Sequence, residues 1–415
     1  MDLFNAIHPL YVVSRCLATV PFIPNRNPIN SPTNRILNIV HYVWTVVIIG
    51  ILITGLKMYI ENYHIRLTGN PGQLMSRIFS SPANFINSIV DIAFMATINR
   101  KSILTLLNRM YNIDTIFLLR NHEGMYKKTR RYLVIQIIVL SLLLLPFIFC
   151  DVYFFGTLSS YCYEIINKLS ISVSLVSVLQ YVNLMKYLKD RLLILNEYIS
   201  ANFANFYDCD PMTNRKFHSW QLVKRYNSVT CEMKSRTFIP YNRREISENI
   251  FKQRIYYNEI FEASRIVNSV YGINILLTLF YCFISVVTNS YFFFMDTFQN
   301  YDMLQTTLPG VDYHIVTHIF WVSFAIAKAA AISVSCQLVI EEMNTASCNL
   351  QKLQLSQHLN KDILHNLEKF SRQIACNEIQ FTALGFFSVN LSFLYAFIAS
   401  SVTYVIVLIQ FNYKS

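Results

Sequence analysis

The sequence predicts an all-α membrane protein of seven transmembrane helices, with the N-terminus cytoplasmic and the C-terminus extracellular. Three observations predict it. Only 14% of the chain is charged while 53% is hydrophobic, against about 25% charged in ordinary soluble domains. Apolar runs recur at the length needed to cross hydrocarbon. Lysine and arginine gather on alternate connecting segments.

The apolar runs fall at roughly 36–60, 79–98, 132–155, 165–186, 266–295, 313–340 and 386–411. Each is near or above the roughly 20 residues that span a bilayer core. The second is the weakest, because Asn84, Asn87 and Asp91 interrupt it. Ahead of the first run, "PLYVVSRCLATVPF" is broken by Arg15 and Pro21 and lacks a small-residue cleavage site. It predicts an interfacial amphipathic helix and no cleaved signal peptide. Between the fourth and fifth runs lie about 80 polar residues with helical patches such as "KYLKDRLLILNEYI". Helices therefore continue past the apolar runs on both sides of that segment.

Basic residues set the orientation. Arg15, Arg26 and Arg35 precede the first run, and the 99–131, 186–265 and 341–380 segments add eight, fourteen and four more. The opposite segments carry only Arg66, Arg77 and Lys414, while Lys57, Lys168 and Lys328 lie within the runs. The basic-rich side faces the cytoplasm. This arrangement is inverted relative to G-protein-coupled receptors, and neither their acidic-Arg-Tyr triplet nor their NPxxY run is present.

Other classes fall away on composition. Nine glycines in 415 residues are few for the broken-helix architecture of secondary transporters. The net charge of +11 is not organised into a basic, aromatic-interleaved module for nucleic acid. No nucleophile–base pair stands at usable spacing, and the nine cysteines form no metal-ligand pattern, so neither an enzyme nor a cofactor is expected. Cys150 and Cys162 flank a short loop and are candidates for a disulfide, buried thiols being the alternative.

The last run ends "TYVIVLIQF", Thr403 to Phe411. On a helix Thr403, Val407 and Gln410 share one face, with Val405, Leu408 and Ile409 on the other sides. An amide in hydrocarbon is costly unless it meets a partner or water. That face either reaches headgroups at the outer interface, or meets water and copies of itself. Two charges lie deeper, Asp91 in the second run and Lys328 in the sixth. They are expected to pair or to face water, although Lys328 could instead extend to the cytoplasmic interface. The acidic loop 296–312 holds Asp296, Asp302 and Asp312 and reads as solvated, and the sequon Asn390-Leu391-Ser392 lies in an apolar segment unsuited to glycosylation.

"TYVIVLIQF" resembles the TYhhhhhQF signature (h hydrophobic) that closes the last helix of insect gustatory receptors, with Thr403, Tyr404, Gln410 and Phe411 as the fixed letters. The layout agrees along the chain: about 400 residues, an inside N-terminus, a long fourth-to-fifth-span segment, and the polar stretch "HLNKDILHNLEKFSRQIACNEIQF" before the last span. The resemblance implies a tastant-gated, non-selective cation channel in the plasma membrane of gustatory receptor neurons, assembled as a homo- or heterotetramer. Val407 would form the hydrophobic constriction, Gln410 an amide ring outside it, and Thr403 the inward continuation of the pore. The domains expected are a cytoplasmic N-terminus (1–35), a six-helix ligand-binding bundle (36–340) including the cytoplasmic segment 187–265, a subunit-contact region (341–385), and the pore helix with its tail (386–415). The ligand is expected in the outer half of the bundle. Thr288 and Tyr291 at the end of the fifth span, Thr317, His318 and Trp321 at the start of the sixth, with His314 beside them, and Asp151 at the end of the third are its candidates. Aromatic faces with a few polar groups suit a bitter plant compound or a sugar such as fructose. The alternatives are an auxiliary subunit of a heteromeric receptor and a secondary transporter.

Overall fold

The computed structural model describes residues 3–20, 32–65, 71–117, 122–155, 158–207, 243–298, 311–355 and 361–414. Ten α-helices are present among them: α1 Leu3–Cys16, α2 Pro32–Ile65, α3 Pro71–Ala96, α4 Arg100–Phe117, α5 His122–Phe155, α6 Leu158–Tyr207, α7 Arg243–Phe298, α8 Val311–Gln354, α9 Lys361–Cys376 and α10 Leu391–Lys414. Six of them, α2, α5, α6, α7, α8 and α10, are long and apolar enough to cross a membrane. Helix α3 stands where the second span was expected. Its Asn84, Asn87, Ser88 and Asp91 are all buried on one face, which lowers its hydropathy while leaving its backbone helical.

The described residues divide into two compact units. The larger comprises Met1–Leu188, Glu262–Ile340 and Ile379–Ser415. Within it α2 lies along α3 and α1 along α5. Leu52, Phe85, Ile92 and Val173 form one fully buried cluster from α2, α3 and α6. The N-terminal helix, expected to be amphipathic, packs one face against the bundle. Leu3, Ala6, Leu10 and Ser14 form its buried face, and Leu10 packs with Leu133, Leu144, Leu175 and Leu179 of α5 and α6. The cause is polar: Gln180 Nε2 on α6 donates to Ser14 Oγ at 2.7 Å and to Thr19 Oγ1 at 2.9 Å, and so draws the helix end into the bundle.

The smaller unit comprises Lys189–Phe261 and Glu341–Glu378. In α9 the residues Ile363, Leu367, Phe370 and Ile374 recur at i, i+4, i+7 and i+11 and are all buried, as expected of an amphipathic helix with one covered face. Tyr257 meets Phe370 edge-on at 6.2 Å, and its hydroxyl donates to Asn377 O at 2.6 Å. Arg254 and Gln373 exchange two hydrogen bonds of 3.2 Å. A groove of about 470 Å³ is lined by Ser247, Glu248, Phe251, Lys252 and Asn366.

The segment before α10 differs from a simple continuation of the last span. A single bridge pairs Thr382 with Ser388, and the turn uses Leu384 and Gly385 at φ 51° and 81°. Asn390 Oδ1 then accepts from Phe393 N at 3.0 Å, a side-chain cap that starts α10 at Leu391. The hairpin is held on α7: Asn268 Oδ1 accepts from Thr382 N at 2.9 Å. Gly272 leaves room for it, since a Cβ there would lie 3.4 Å from Leu384 N.

Candidate functional site

Helix α10 is scarcely covered by its own chain. In its most apolar stretch 11% is buried, against 67% for the corresponding stretch of α6. The covered side carries Phe397 and Ser401, with Phe283 of α7 edge-on to Phe397 at 5.9 Å and to Tyr404 at 5.5 Å. Thr403 and Gln410 are exposed, and Val407 is 38% exposed. Thr403 Oγ1 is satisfied locally by Ala399 O at 3.0 Å, a common way for a hydroxyl to enter an apolar helix. One stripe of the helix therefore presents hydroxyl, aliphatic and amide groups to whatever surrounds the chain. Val405, Leu408 and Ile409 are half-buried. Tyr404 meets Phe283 of α7 with one edge while more than half of it stays exposed. Phe411 is helical, with its side chain outside the described residues.

The proposed ligand residues cluster where the end of α7 meets the start of α8. His318 stacks on Phe292 at 5.7 Å and 21°, and its Nδ1 lies 3.2 Å from Asn289 Oδ1. Thr288 and Thr317 are buried. Tyr291 is fully buried, and its hydroxyl has no hydrogen-bond partner among the described residues. Trp321, one turn along α8, turns toward α6. The Lys168 ammonium sits 4.6 Å above its ring, with Glu164 4.0 Å away. Phe320 and Phe324 flank Trp321 edge-on at 5.2 and 5.8 Å. His318 and Trp321 thus address different neighbours. Asp151, His314 and the acidic loop 296–312 are a different matter. Asp151 and His314 are helical, and their side chains, like most of the loop, lie outside the described residues. Sequence reasoning missed Asn289 and Lys168, whose one signal was polarity inside an apolar run.

Asp91 and Lys328 are both buried, at 1% and 3% exposure, and among the described residues they form no direct ion pair. Lys328 Nζ donates to Ser174 Oγ at 2.8 Å. Asn87 Nδ2 reaches the same Ser174 Oγ at 3.1 Å and Thr278 Oγ1 at 3.3 Å. Thr278 Oγ1 in turn faces Asn274 Oδ1 at 3.4 Å, and Asn274 Nδ2 and Ser177 Oγ both donate to the Asp91 carboxylate. The extension of Lys328 to an interface is thereby replaced by a buried hydrogen-bonded path. One turn further along α6 and α7, Tyr271 donates to Gln180 Oε1 at 3.2 Å. Cys162 is a free thiol and so forms no disulfide, and the side chain of Cys150 lies outside the described residues.

A family model described as 7tm chemosensory receptor matches residues 7–415. Gustatory and pheromone receptor 32a of Drosophila melanogaster is 28% identical over 167 residues, covering 40% of this chain and 33% of that protein. Gustatory receptor 23a of the same organism is 26% identical over 195 residues, 46% of this chain and 49% of that one. The chain thus spans between a third and a half of the length of the curated relatives it matches. Among solved structures, the insect olfactory receptor OR5 of Machilis hrabei in complex with eugenol shares the fold, with a TM-score of 0.67 and 15% identity over 98% of this chain and 99% of that one.

Proposed function

Because the chain belongs to the 7tm chemosensory receptor family, we propose that it is a tastant-gated, non-selective cation channel in which four copies meet around α10. The observation that carries this reading is the uncovered stripe of Thr403, Val407 and Gln410. A single helix cannot enclose a pore, so the stripe acquires a lining role only by rotational symmetry. In that arrangement Val407 forms an apolar ring that closes by dewetting, and Gln410 supplies carbonyl oxygens to partly hydrated cations outside it. Thr403 continues the lining inward. Helix α3 serves as the seventh span, shielded from lipid by α2, and the basic-rich segments lie in the cytoplasm, which puts the C-terminus outside. The 341–385 region holds the subunits together. The membrane is the plasma membrane of a gustatory receptor neuron.

The ligand enters between α6, α7 and α8. His318, Asn289, Thr288, Thr317 and the Tyr291 hydroxyl offer polar contacts, and Trp321 and Phe292 offer faces for a ring. A sugar such as fructose and a bitter plant compound both fit that chemistry. The olfactory relative was solved with eugenol, so small phenols belong in the same trial. The test is expression of this chain alone in oocytes, perfused with sugars, alkaloids, glycosides and phenols. An inward cation current evoked by one class supports the reading. Normal surface delivery with current only on co-expression of a second receptor assigns the chain to an auxiliary subunit. Substrate-coupled flux in place of channel current would assign it to transport.

A further inference from the structure

We propose that Lys328, Ser174, Asn87, Thr278, Asn274 and Asp91 act as one charge-balanced relay, which positions α7, and with it the pore helix, in response to the aromatic cluster on α8. The proposal rests on the channel reading for its output and on geometry for its existence.

A buried charge in a membrane-spanning bundle persists only when it is paired or fully hydrogen-bonded. Here an ammonium on α8 and a carboxylate on α3 compensate each other without touching, and neutral side chains of α3, α6 and α7 carry the connection. The arrangement is not accidental in register. Asn84, Asn87, Ser88 and Asp91 recur along one face of α3, Ser170, Ser174 and Ser177 along one face of α6, and Tyr271, Asn274 and Thr278 along one face of α7. All ten are buried. The hydroxyls and amides between them both donate and accept, so the interior links can exchange roles while the ammonium keeps donating and the carboxylate keeps accepting.

Both ends of the relay touch what a gate must connect. Lys328 Nζ lies 5.8 Å from the Phe324 ring centroid and 5.4 Å from that of Tyr281, and Phe324 packs edge-on to Trp321. A ring bound against Trp321 therefore presses on the side chain that orients the ammonium. At the other end, Asn274 and Thr278 belong to the stretch of α7 that carries Asn268 and Gly272 under the hairpin and Phe283 against Tyr404. A shift of α7 reaches α10 at two points. Direct pairing of Asp91 with Lys328 supplies a second arrangement of the same charges, which a two-state coupling requires.

The test uses the full chain carrying Asp91→Asn, Lys328→Met and both together. Each single change leaves the other charge buried and uncompensated. The thermal midpoint of the detergent-purified receptor should then fall by roughly 5 °C, and the surface amount several-fold. The double variant should regain at least half of both losses. Losses in the double variant equal to the sum of the singles would overturn the relay. Thr278→Val cuts the path with both charges in place, and Ser333→Ala, a buried serine of α8 outside it, serves as control. With D-fructose, quinine and salicin as probes, Thr278→Val should move the half-maximal concentration roughly threefold to tenfold, with a smaller loss of midpoint and surface amount than either single charge variant shows, and the control should not. A wild-type response unaltered by Thr278→Val would overturn the coupling. Wild-type silence toward all three probes at normal surface amount would count against the channel reading, leaving the relay to be decided by the charge variants.

Discussion

At the scale of single residues, the proposed gate rests on Val407. Its side chain is partly exposed on a helix that its own chain leaves bare, so its apolar volume is available to copies of itself. Val407→Ala widens an apolar ring by two methyl groups per subunit and weakens dewetting. Ligand-free current at normal surface expression should rise severalfold in two-electrode recordings, and an alanine variant without leak would remove Val407 from the constriction. The stripe was legible in the sequence because fixed polar letters at both ends of an apolar run have few explanations. The partners of Asp91 and Lys328 were not. Ser174, Ser177 and Thr278 are ambiguous one at a time, since a hydroxyl inside a helix can satisfy itself on the preceding turn. Only the meeting of four helices shows that these satisfy each other.

At the scale of elements, the pore helix depends on how it begins. The sequence places the last span from residue 386, yet α10 starts at Leu391, because five residues are spent on a turn that hydropathy counts as apolar. Phe386 is largely exposed there, while Phe387 stacks on Phe393 at 4.7 Å and 4°. Asn390 and Gly385 are the residues that make the turn work. Asn390→Ala removes the cap and should lower stability by about 1 kcal/mol, readable as a lower thermal midpoint. Gly385→Val puts a β-branched residue at φ 81°, where such residues are strained by about 1–3 kcal/mol. Its loss should exceed that of the cap. Equal midpoints for Gly385→Val and wild type would show that the turn is not held as described. The long helices α6 and α7 were legible from hydropathy and the helical patches between them, whereas α8 was legible only as its apolar run and continues to Gln354. The docking of α1 on α5 was not legible, because a short amphipathic stretch does not say which neighbour its apolar face covers.

At the scale of the whole molecule, hydropathy was sufficient for an all-helical membrane architecture, and the shared fold with an olfactory receptor agrees with it. The run that composition marked as weakest is the one whose polar face enters the buried hydrogen-bonded path, so the residues that lower its hydropathy are the ones the bundle covers. The bare surface of α10 has a further consequence, which concerns inheritance. In the four-copy assembly proposed here, a helix completed by other copies passes its defects to them. If four subunits mix at random, a cell making equal amounts of wild-type and Val407→Ala chains holds only about one fully wild-type assembly in sixteen. Co-injecting the two messages in equal parts should therefore give a leak far above half that of the variant alone if one altered subunit suffices to open the ring. A leak that simply halves would mean that each chain acts for itself. Only in the first of these two outcomes would an allele at this position behave as dominant.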